Sequence, residues 1–274
     1  GGEWQVVTID DGAGYAPPPT ASDNRYGFSA TAVAAGPAGF VAAGNAYFYN
    51  GNISAGFGAA VWTSADGAAW TRVDVRAAIA NLDPSGLSID RLVATASGYV
   101  LTGSTGPRVF VLQSADGVNW TQTLDLTKAW AMLPHDLIAD GNMVLLWVDE
   151  YVCLASAFAT ATQPVLHLSS DGGATWTELD ATAIPTFANA QPEPDAATCE
   201  PFGGDLSLLS NEFTATVGAI GLADGAILVT DAAYGQVALS ADGSSWTTAA
   251  LPETGPVEFG FSRFRRPALA LIGS

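Results

Sequence analysis

Short apolar runs, each broken by a Gly, Asn or Asp turn signal, recur along the chain in place of any sustained helical period. GFVAAGN (39–45), GYVLTGS (98–104), NMVLLWV (142–148) and AILVTDA (226–232) are β-rich runs preceded by turn residues, which predicts one strand each. Ahead of them stand SATAVAAG, RLVATASG, DLIADG and AIGLADG; after them come strands ending in Ser, an Asp-containing turn and a Trp-Thr strand. The unit reads as strand, turn, strand, longer loop, strand, Asp turn, strand, a four-stranded antiparallel meander.

The Asp turns are SADGAAW (64–70), SADGVNW (114–120), SSDGGATW (169–176) and SADGSSW (240–246), each followed by Thr. Asp66, Asp116, Asp171 and Asp242 stand 50, 55 and 71 residues apart, a spacing that suits blades of roughly 40 to 50 residues plus loops. An Asp side chain accepts hydrogen bonds from the N–H groups of its own turn, and Gly supplies the positive φ such a turn needs. Trp70, Trp120, Trp176 and Trp246 are expected to bury a large ring between blades. All eight residues are therefore read as architectural.

Residues 169–176 carry the pattern Ser-x-Asp-x-Gly-x-Thr-Trp, which resembles the Asp-box, or bacterial neuraminidase repeat, of sialidases, sortilin-type receptors and other secreted propellers. The other three segments are one residue shorter. The resemblance spans residues 30–250 and implies an all-β propeller, secreted or at a cell surface, with the Asp turns on the face opposite the ligand. GGEWQVVTID aligns with the fourth-strand segments, placing Trp4 at the box tryptophan, and PALALIGS aligns with GYVLTGS. Both termini are thus expected to share a fifth blade, making one domain of residues 1–274. From Trp246 round to Trp4 takes 32 residues against 50 from Trp70 to Trp120. The closing blade therefore has three strands, or leaves an edge through which another chain assembles.

Composition agrees with short strands and tight turns, since 49% of residues are hydrophobic and 13% charged, with 30 Gly and 15 Pro. Against 27 acidic residues stand Lys128 and eight arginines, a formal charge of −18 that speaks against nucleic acid and anionic lipid as partners. No apolar run reaches the roughly 18 residues a membrane span needs, so no membrane insertion is expected. The first residues, GGEWQVV, lack the basic start and apolar core of a signal peptide, and Gly1 reads as a mature N-terminus or as one introduced for expression. In an exported chain, Cys153 and Cys199 suggest one disulfide, the alternative being two buried thiols.

The segments between second and third strands hold the aromatics. NAYFYNGNISAGFG carries Tyr47 and Tyr49, DEYVCLASAFATATQP carries Tyr151, the fourth repeat offers Tyr234, and a connector adds Trp130. These are expected to ring one end of the channel and meet a glycan or an extracellular protein. The disulfide would pin the insert at 181–214 over the third blade. A sialidase-like site would need Arg25, Arg91 and Arg265 to converge, yet FRRPAL (264–269) follows the last box, whereas in that family the motif precedes the boxes. Asp149 with Glu150 or Asp23 is the candidate carboxylate pair of another glycosidase. His135 and His167 have no triad motif around them, and metal-ligand spacing is absent, which leaves loop-bound calcium as the one cofactor in view. The expectation is a binding or assembly module, with a propeller-type glycoside hydrolase or lyase, or a structural subunit of an extracellular filament, as alternatives.

Overall fold

The computed structural model describes residues 24–50, 53–75, 77–79, 81–82, 87–105, 108–127, 132–154, 159–185, 217–231 and 236–250. Among them there is no α-helix, and sixteen strands form four antiparallel four-stranded sheets. The first sheet holds β1 (Asn24–Gly36), β2 (Gly39–Asn50), β3 (Ile53–Ser64) and β4 (Thr71–Val73). The second holds β5 (Ser88–Thr95), β6 (Gly98–Thr105), β7 (Arg108–Ser114) and β8 (Thr121–Thr127). The third holds β9 (Met132–Asp140), β10 (Met143–Leu154), β11 (Ala159–Ser169) and β12 (Thr177–Glu178). The fourth holds β13 (Val217–Ala223), β14 (Ala226–Asp231), β15 (Gln236–Ser240) and β16 (Thr247–Ala250). In every sheet the strands pair in chain order, the meander that the apolar runs and turns predict.

The chain divides into two compact units, Gly1–Leu146 with Ser169–Trp176, and Trp147–Leu168 with Thr177–Ser274. In the first unit β5 packs against both β1 and β9. All of β6 is buried, because its two faces meet different neighbours. Side chains alternate across a strand, so Tyr99 and Leu101 join Phe110 and Leu112 of β7 against Val41, Ala43 and Val61 of the first sheet. The first sheet has a second apolar face, where Ala42, Ala60 and Trp62 are buried with Phe28 and Trp70 packed on them. The Phe28 and Trp62 rings meet edge to face at 6.1 Å, and the Arg72 guanidinium lies 4.3 Å over Phe28.

Two features depart from the sequence reading. The segments after Asn45 and Asp149 read as loops, but β2 and β3 run on until only residues 51–52 separate them, and β10 and β11 until only 155–158 do. Aromatic residues suit a pleated strand, and antiparallel pairing satisfies backbone groups that a long loop would leave to water. The box tryptophans were expected to be buried; all four are half-buried.

Neighbouring sheets meet through the Asp turns. Gly117, at φ 75°, lies so close to the first sheet that an added Cβ would come within 2.7 Å of the Val41 side chain. At Gly173 the same atom would meet Val100 at 2.5 Å, and at Gly243 it would meet Leu179 at 2.6 Å. Gly67 has equal backbone demands at φ 78°, but its nearest contact would be Phe40 at 3.6 Å. Gly67→Ala should thus cost only the left-handed backbone penalty, about 1–2 kcal/mol. Gly117→Ala should cost a further 1–3 kcal/mol or so for overpacking, and urea unfolding of the two variants measures the difference; equal losses would refute docking through Gly117.

Candidate functional site

The Asp turn of each sheet joins its third and fourth strands, and the four turns share one hydrogen-bond plan. Ser64, Ser114, Ser169 and Ser240 are buried, and each hydroxyl donates to the Asp two residues on, at 3.2, 3.1, 2.8 and 3.1 Å. Each Ser Oγ also accepts the N–H of the turn glycine, at 2.8 Å for Gly67, Gly117 and Gly243 and 2.9 Å for Gly173. The Asp Oδ1 takes the next two N–H groups, from Ala68 and Ala69, Val118 and Asn119, Ala174 and Thr175, and Ser244 and Ser245. The indoles of Trp70, Trp120, Trp176 and Trp246 donate back to the glycine carbonyls at 3.0, 2.8, 3.0 and 3.2 Å. The extra residue of the third turn is absorbed by a second left-handed glycine, Gly172, whose N–H goes to Asn142.

These donors stabilise the charged carboxylates. The Ala69 N–H lowers Asp66, and the Asn119 N–H first among several donors holds Asp116 far below the usual carboxylate range. Asp171 is brought to about 2, mainly by the Thr175 hydroxyl, and Asp242 to about 2, mainly by the Ser245 N–H. The N–H donors of each turn are thus taken up within the turn.

Buried polar groups gather toward the opposite end, between the first and second sheets. Pairing of β5 with β6 jumps from Ile89–Gly103 to Arg91–Thr102, so Asp90 is an extra residue in a bulge; Thr31 is the extra residue of β1 in the same way. A Cβ on Gly103 would stand 2.1 Å from the Ser88 carbonyl oxygen, and one on Gly44 1.8 Å from that of Ser29, so each bulge needs a glycine across from it. The Asn45 amide brackets Ile89, its Oδ1 accepting the Ile89 N–H at 2.6 Å and its Nδ2 donating to the carbonyl at 3.4 Å. Thr31 Oγ1 lies 3.3 Å from the same carbonyl.

The bulge aims Asp90 at two serines. Ser88 Oγ stands 3.1 and 3.2 Å from the carboxylate oxygens, Ser104 Oγ donates to Oδ2 at 3.2 Å, and the two hydroxyls are 3.2 Å apart. Burial pushes the Asp90 carboxyl above its ordinary value, against the lowering effect of Ser88, Ser104 and Arg91. Arg91 serves the backbone instead, with Nη1 donating to the Asp90 carbonyl and Nη2 to that of His135, both at 2.8 Å, while Nε lies 3.8 Å from Asp136.

Tyr47 and Tyr49 lie on β2, where their backbones pair with Gly27 and Arg25 of β1, and Tyr151 and Cys153 lie on β10; the side chains of these residues are outside the described set. Tyr234, Trp130, Cys199 and Arg265 lie outside the described residues, as does the insert beyond residue 185. Asp149 accepts from the Trp147 indole at 2.8 Å. Among the described residues no three His, Cys, Asp or Glu side chains cluster to hold a metal ion, and no helix is long and apolar enough to cross a membrane. Sequence reading missed Asn45, Ser88, Asp90 and Ser104. The available signal was the polar position closing two aligned apolar runs, Asn45 in GFVAAGN and Ser104 in GYVLTGS.

No protein-family model matches the chain, and no curated protein matches it. The likeness to the Asp-box repeat therefore rests on the four segments themselves.

The two ends predict opposite responses to pH. Unfolded Asp titrates near 3.9, so the lowered turn carboxylates give a stabilisation complete above about pH 4 and lost toward pH 2. Asp90 is raised, so its contribution is complete below about pH 4 and lost as pH rises through its folded value. Urea unfolding across this range should show stability falling in acid, and Asp90→Asn should remove part of the decline above about pH 4. An unchanged slope would contradict the assignment to Asp90.

Proposed function

We propose that the chain is a secreted or cell-surface β-propeller of five blades, a binding module that takes a glycan or a protein partner at the strand ends carrying Asn45, Asp90 and Arg91. The observation that carries this reading is the contrast between the two ends. The Asp turns take up their own N–H groups, whereas the other end places a half-buried carboxylate, two hydroxyls and an arginine within one bulged strand and its neighbours. Ligand sites combine such convergent polar groups with apolar walls. Tyr47, Tyr49, Tyr151 and Tyr234 are the proposed aromatic rim.

Five blades are favoured by the second apolar face of the first sheet. Ala42, Ala60 and Trp62 are buried on the side away from β6, which calls for a cover, and the strand-like segments at 1–10 and 260–274 are the proposed one. The bridge between Cys153 and Cys199 and loop-bound calcium belong to the same reading.

A glycoside hydrolase is the second reading, favoured by the upward shift of the Asp90 carboxyl, which is the direction a general acid needs. Screening on an array of glycans and extracellular proteins tests the first: binding is expected, and weaker for Asp90→Asn and for Tyr47→Ala. Nitrophenyl glycosides test the second, because turnover abolished in Asp90→Asn would replace the binding module with an enzyme.

A further inference from the structure

We infer that the Ser88, Asp90 and Ser104 cluster binds the ammonium group of a lysine on a basic segment of a protein partner. This rests on the binding-module reading and adds the chemistry of the ligand.

The argument is a count of donors and acceptors. A carboxylate offers about four lone-pair positions and a hydroxyl two, but each hydroxyl has a single proton to give. Ser88 and Ser104 both point theirs at Asp90, at 3.1 to 3.2 Å. With the two Oγ atoms 3.2 Å apart, the three side chains form one patch of oxygen atoms with many acceptors and no proton left to donate. The nearby Arg91 favours the charged carboxylate through space, but its guanidinium donates to the Asp90 and His135 main-chain carbonyls and lies 3.8 Å from Asp136. Asp90 is thus desolvated while its carboxylate is bonded to hydroxyls alone among the described residues.

A ligand that fits must bring donors and no further acceptors. A sugar hydroxyl brings a single donor, together with lone pairs for which this patch has no proton. An ammonium brings three donors, no acceptor and a compact positive charge. The whole chain favours the same partner, since a formal charge of −18 attracts basic segments and speeds their encounter at low salt.

The probe is a tetralysine peptide amide, titrated calorimetrically at low and moderate salt, beside the same peptide acetylated on every side-chain amine. Asp90→Asn should weaken tetralysine binding by at least about tenfold, while Asp140→Asn, at the exposed far end of β9, should leave it nearly unchanged. In the unmodified protein, the Asp90 carboxyl carbon resonance should shift on saturation, a readout that needs no variant. Equal weakening in both variants, binding of the acetylated peptide, or a silent Asp90 resonance would overturn the inference. An oligosaccharide bound through Asp90 in place of tetralysine would overturn it and leave the binding module standing; absence of any ligand in both experiments would sink both.

Discussion

A carboxylate that satisfies the N–H groups of its own turn is the interaction on which this architecture depends. A tight connection between two strands exposes consecutive donors, and in each repeat one Asp Oδ1 collects two of them while the preceding buried serine takes a third. The glycine between them adopts a left-handed conformation. The indole ties the return strand to the same glycine. Because the Asp and Ser side chains take up most of the turn's N–H groups, it can be pressed against the neighbouring sheet, as Gly117 is against Val41 and Gly173 against Val100. Local polar satisfaction thereby becomes a means of stacking sheets.

The other end follows a different constraint. Bulges at Thr31 and Asp90 interrupt the ladder on β1 and β5. In the second of these, the backbone groups of Ile89 are claimed by Asn45 from the adjacent sheet. The cost is steric, and it is met by leaving Gly44 and Gly103 without side chains. The return is a carboxylate held in a largely desolvated position beside two hydroxyls, with the arginine next to it hydrogen-bonded to its main-chain carbonyl. The second sheet thus carries an Asp turn at one end and an acceptor-rich bulge at the other.

The order of strands, the meander in each sheet and the place of each Asp turn were legible in the sequence because they follow from short-range rules. Short apolar runs bounded by turn residues mark strands such as β2 and β6, and Ser-x-Asp followed by Gly marks a turn whose hydrogen bonds lie within about five residues. The strand extensions through Tyr47 and Tyr151 were less legible, since a run mixing Gly, Asn and aromatics reads equally as loop. Only a partner strand at the right distance decides which it becomes.

The Asp90 cluster lies beyond sequence reading for a physical reason. Ser88 and Asp90 are two residues apart, but Ser104 reaches them through strand pairing and Asn45 through the contact of two sheets. The bulge that turns Asp90 toward them leaves no periodic trace. The raised carboxyl depends on burial, which no local pattern contains. By itself the sequence determined the repeat, the turns and the strands, whose energetics are local. Only the tertiary structure decided which polar residues are desolvated together, because desolvation belongs to how sheets stack.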